Sequence, residues 1–206
     1  MRTRVLIAAA LLIPALALTT GCSSDNSERA RVVCEVSSVN AGVPLISAYV
    51  TDGGDGVIGP GPSGTVDDKY TTDAVPVTFH ARPYDSQVTS IGSDDPYSSF
   101  VITGYDLTWV PGADAPAGLD LTPYNVVNAP LYLTVPINDD ASASVMVSGR
   151  AVKEAVGTLL GTPWNLDQDF TVVARIQFMG HASGDEHVTK VDAGLTVTFT
   201  FAVASN

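Results

Sequence analysis

The side chains best equipped for chemistry in this 206-residue chain are two cysteines, three histidines and a set of aspartates in glycine-rich stretches. Cys22 closes an apolar run, behind Thr19, Thr20 and Gly21. Cys34 lies in a strand-like stretch and reads as a small buried apolar residue rather than a reactive thiol. The sequence Asp52-Gly53-Gly54-Asp55-Gly56 has the oxygen ligands and glycines of a calcium loop, which makes Asp52 and Asp55 the metal candidates. The pairs Asp67 and Asp68, Asp94 and Asp95, and Asp139 and Asp140 could add carboxylates if loops converge. The alternating ligands and terminal Glu of an EF-hand are missing, and ordinary turn chemistry accounts for the same residues. His80, His181 and His187 match no zinc spacing. No G-x-S-x-G elbow, H-E-x-x-H or phosphate-cradling glycine loop occurs, so no catalytic residue is assigned and the chain is not expected to be an enzyme. Paired carboxylates for glycoside hydrolysis stay open, because their separation is a three-dimensional quantity.

The first 22 residues carry the clearest message. Arg2 and Arg4 precede an apolar run over residues 5–18, which contains Pro14 and is too short to span a hydrocarbon core of about 30 Å. Thr19, Thr20, Gly21 and Cys22 then resemble the lipobox of bacterial lipoproteins, although Thr19 stands where that family prefers an aliphatic residue. The resemblance implies cleavage before Cys22 and a lipid on its thiolate, with the polar stretch from Ser23 to Glu28 as a tether. It makes residues 1–21 a signal peptide, 22–30 a lipidated cysteine with its tether, and 31–206 one domain. Two or more acyl chains anchor stably, and Ser23 after the cysteine implies the outer membrane. Lipid on Cys22 would also leave Cys34 without a partner. The competing reading is cleavage after Ala15-Leu16-Ala17, which releases a soluble protein.

Ten Lys and Arg oppose 22 Asp and Glu, a net charge of −12 that loss of Arg2 and Arg4 takes to −14. Such a domain repels nucleic acid, and its acidity serves solubility or cation binding.

From residue 31 onward, short β-like runs alternate with Gly, Pro, Asn and Asp clusters. Strands are predicted over 32–39, 44–50, 75–82, 100–110, 131–136 and 143–148. At the C-terminus Leu195, Val197, Phe199, Phe201 and Val203 alternate with Thr and Ala, and before them Ala174, Ile176 and Phe178 alternate with Arg175, Gln177 and Met179. Together these form a hairpin whose turn is expected to contain Gly180, His181, Ser183, Gly184 and Asp185. Residues 151–160 break the pattern: Val152, Ala155, Val156, Leu159 and Leu160 recur at helical spacing, with Lys153 and Glu154 facing elsewhere. Residues 52–65 and 111–129 read as long surface loops, where binding commonly resides.

The stretch 171–203, with its Phe178-Met179-Gly180 motif, resembles the last hairpin of bacterial immunoglobulin-like domains, and Tyr105, Leu107, Trp109 and Val110 look like another of their strands. The fold expected is therefore an all-β, immunoglobulin-like antiparallel β-sandwich with one short helix. The function expected is a membrane-anchored, non-enzymatic binding or structural module of the cell envelope, acting in adhesion or assembly on a protein or glycan partner. The alternatives are a carbohydrate-binding or hydrolytic envelope protein, which needs exposed aromatics among Trp109, Trp164, Tyr97, Tyr105, Tyr124 and Tyr132, and a calcium-stabilised module. Trp109, among apolar neighbours, is expected in the core, and Trp164 in a more exposed loop.

Overall fold

The computed structural model describes residues 32–48, 72–85, 91–92, 94–160 and 169–200. Eight strands occur in chain order: β1 (Val32–Val39), β2 (Leu45–Ala48), β3 (Asp73–Pro83), β4 (Ser99–Pro111), β5 (Val126–Pro136), β6 (Asp139–Ser148), β7 (Phe170–Ala182) and β8 (Thr189–Thr200). One α-helix, α1 (Arg150–Leu160), lies between β6 and β7. The expected helix and every expected strand that falls on described residues form.

Period-two alternation decides which face of each strand is buried. On β8, Leu195, Val197 and Phe199 are buried, while Thr196 is exposed and Thr198 half-buried. On β7, Ala174, Ile176 and Phe178 are buried opposite exposed Arg175. With one face apolar, each strand must cover that face against another layer.

The strands assemble into a three-stranded sheet of order β1-β3-β6 and a five-stranded sheet of order β2-β8-β7-β4-β5. The two sheets make an all-β sandwich. All pairings are antiparallel except that of β2 with β8, which is parallel. The parallel pair arises because the chain leaves the first sheet after β1 and crosses to the edge of the second. Asn40, Ala41 and Gly42 make that crossing with φ of 50°, 53° and 78°. The Asn40 side-chain amide donates to the Val43 carbonyl at 2.8 Å, which holds the left-handed turn.

The layers are joined through their centre. Phe79 of β3 meets Phe178 of β7 edge to face, with ring centroids 4.8 Å apart. Tyr105 of β4 lies 6.1 Å from Phe178, and its hydroxyl donates to the Met146 carbonyl of β6 at 3.2 Å. The Phe79–Phe178 contact thus ties the central strand of the three-stranded sheet to the central strand of the five-stranded one.

Three expectations need correction. Lys153 does not face away from the core: it is fully buried, while Leu159 is partly exposed. Gly180 and His181 belong to β7 rather than to the turn, which runs over residues 183–188. A Cβ on Gly180 would lie 2.4 Å from the Phe100 ring and 2.5 Å from the Val101 carbonyl, so the glycine permits a close strand approach instead of a reversal. Finally, the loop expected over 111–129 spans only 112–125, because β5 begins at Val126. Left-handed Asn128 and two register shifts against β4 interrupt the alternation that would have marked its start.

Candidate functional site

Cys22, Asp52, Asp55, Asp67, Asp68 and Trp164 lie outside the described residues, as do Phe201 and Val203.

The three histidines have separate local partners. His80 Nδ1 lies 2.8 Å from Asp140 Oδ1 across the β3–β6 register. His181 Nδ1 sits 2.9 Å from the Ala182 carbonyl, and the His187 backbone N–H donates to Asp185 within the β7–β8 turn. Asp95 accepts from the Tyr97 N–H at 2.8 Å and Asp139 from the Asp140 N–H at 2.8 Å, so both carboxylates brace their own turns. Among the described residues no three His, Cys, Asp or Glu side chains are grouped to hold a metal ion.

Cys34, on the inner face of β1, is a free, buried thiol. Burial, reinforced by the neighbouring charge of Glu35, pushes its pKa up to about 12, so at neutral pH it is a protonated, apolar side chain. Trp109 is buried with its ring 6.0 Å from Phe199, and Tyr105 is buried as well. Tyr97 and Tyr124 pack partly against the core, whereas Tyr132 is 81% exposed.

Two arrangements could do chemistry, and neither was legible in the sequence. The first is buried at one end of the sandwich. Lys153 of α1 bonds Asp73 of β3 at 3.0 Å, and the hydroxyl of fully buried Ser47 on β2 donates to the same carboxylate oxygen at 2.6 Å. Ser148, the register partner of Asp73, is also fully buried and its hydroxyl has no hydrogen-bond partner among the described residues. A serine beside a carboxylate and a lysine has the residue types of a nucleophilic site, but Ser47 and Lys153 are sealed from solvent. They join a strand of each sheet and the helix, which is a structural latch.

The second arrangement is the outer face of the five-stranded sheet. Asp106, Gln177 and Asp192 form one row across β4, β7 and β8, and Thr108, Arg175 and Gly194 form the next. Gln177 donates to Asp192 at 2.8 Å, and Asp106 accepts from the Asn128 N–H at 2.7 Å. Arg175 is exposed and forms no ion pair among the described residues. A depression of about 750 Å³ lies over these two rows. Towards the β5 edge the exposed apolar side chains Tyr132 and Val127 stand at 81% and 71% exposure.

Beside this face, the β4–β5 connection is fastened to the start of β7. Asp114 accepts from the Thr171 hydroxyl at 2.6 Å and from its N–H at 3.1 Å, bonds that hold the carboxyl below the usual range. No described helix is long and apolar enough to cross a membrane. Compared with models of known protein families and with curated proteins, the sequence matches none.

Proposed function

We propose that the chain is a lipid-anchored module of a bacterial cell envelope, held to a membrane, the outer one by its Ser23, through Cys22, and acting by binding rather than catalysis. The binding surface in this reading is the outer face of the five-stranded sheet. The observation that carries it is the concentration of unengaged recognition chemistry there: a guanidinium without an ion pair among the described residues, and a tyrosine and a valine more than two-thirds exposed. Arginine and tyrosine are the residue types enriched where binding energy concentrates, and an apolar side chain left in water on a strand gains most from being covered. The tether fits the same picture, because a polar segment after an acylated cysteine would let the face sample the space near the membrane.

Fractionation of cells producing the native chain and the Cys22→Ser variant tests the anchor, and a photo-crosslinking residue tests the face. The native chain is expected in the membrane fraction with a mature mass increased by lipid, and Cys22→Ser in the soluble fraction. A crosslinker at position 132 is expected to capture an envelope component that one at position 146, on the opposite sheet, does not. Membrane retention of Cys22→Ser with unaltered mass overturns the anchor, and equal capture from both positions overturns the assignment of the face.

A further inference from the structure

We propose that the depression centred on Gly194 binds a neutral saccharide chain; the proposal names the ligand of the face assigned above and rests on that assignment. Glycine inside a strand weakens it, so its presence calls for a reason: a bulge, a close backbone approach or a ligand. Two glycines of this sheet have such a reason within the fold. A Cβ on Gly104 would meet the Ala129 carbonyl at 2.8 Å, and one on Gly180 would enter the Phe100 ring. Gly194 has none of these. Its φ is not left-handed, the β7–β8 register runs through it without a shift, and a Cβ there would meet nothing within 4 Å. What the missing side chain does is leave an open corner in the two rows of polar residues, beside Arg175.

The surroundings of that corner point to the ligand class, and the exposed aromatic that a sugar chain stacks on is Tyr132, which stands outside the depression towards the β5 edge of the same face. With strands about 4.8 Å apart and same-face residues about 6.8 Å apart along a strand, the two rows cover about 10 by 7 Å, the scale of one or two sugar rings. They alternate acceptors and donors: the Asp106 and Asp192 carboxylates retain lone pairs after their single bonds, while Arg175, Gln177 and Thr108 supply N–H and O–H groups. Adjacent hydroxyls of a sugar each donate and accept, so they satisfy this pattern pairwise. An anionic ligand would have to approach two carboxylates around one guanidinium on a protein of net charge −12, which disfavours it.

The test is titration of the full chain, in detergent micelles, with cellotetraose, maltotetraose, chitotetraose and mannotetraose, followed by isothermal calorimetry or amide chemical shifts. At least one is expected to saturate, with shifts confined to β4, β7 and β8. Gly194→Val fills the corner with a residue that favours strands, so its melting temperature should not fall while saccharide binding is lost. Arg175→Ala and Asp192→Asn should each weaken binding about tenfold or more. Failure of all four sugars to saturate at about 10 mM, or undiminished binding by Gly194→Val, overturns the proposal. If no sugar binds but position 132 still captures a protein, the saccharide assignment falls while the face keeps its role. If sugar binds and Cys22→Ser stays membrane-bound, only the anchor falls.

Discussion

Cys34 illustrates how a side chain's setting decides its chemistry. Its thiol carries the same intrinsic reactivity as any other, but burial on the inner face of β1 raises its pKa to about 12. Because the folded-state value lies above that of the unfolded chain, the protonated thiol favours the folded state. This contribution is fully present below the ordinary thiol pKa of about 8.5 and is lost as pH rises towards the folded value. Native protein at pH 8 is therefore expected to react with a thiol-specific disulfide reagent at least about a hundredfold more slowly than the same protein in denaturant. Equal rates would show that β1 opens freely. Asp114 has the opposite sign: its hydrogen bonds to Thr171 depress its pKa, so what it contributes is present above the ordinary carboxylate range and is lost as pH falls through its folded value.

Helix α1 is held by more than its apolar residues. Val152 and Val156 are buried, and Lys153 between them carries its charge to Asp73. Removing one partner of a buried pair leaves the other uncompensated, so Lys153→Met should cost about 3 kcal/mol in chemical denaturation. Adding Asp73→Asn, which removes the charge but keeps an acceptor for Ser47, should recover at least half of that loss. A double variant no more stable than the single would mean that the lysine stem, not its charge, fixes the helix. The helix and most strand boundaries were readable in the sequence because 3.6-residue and two-residue periods are local. Lys153 was not, since a lysine at helical spacing gives no sign that a carboxylate from β3 waits beneath it. The β2–β8 parallel pair escaped because the left-handed turn at Asn40–Gly42 redirects the chain to a new neighbour without marking the hydrophobic pattern, and the early start of β5 escaped because the bulge near Asn128 interrupts the alternation there.

At the scale of the whole molecule, the sandwich separates residues that hold the layers together from residues left free to bind. The alternation along β7 and β8 revealed the first class directly, whereas the second depends on register. Nothing local says that Arg175 stands between Thr108 and Gly194, although a glycine within a Thr and Val strand was a visible irregularity. One pair of substitutions tests the separation. Phe79 is fully buried and forms the edge-to-face contact with Phe178 that ties the sheets, so Phe79→Ala combines lost transfer energy with a cavity and should cost about 3–5 kcal/mol. Against a typical domain stability of about 5–15 kcal/mol, that is roughly a fifth or more of the total. Tyr132, 81% exposed on the outer face, should change stability by less than about 0.5 kcal/mol when replaced by alanine. Urea denaturation of the two variants under one set of conditions compares them directly. A Tyr132→Ala loss approaching that of Phe79→Ala would mean the outer face is already engaged by the chain itself and is not open to a partner.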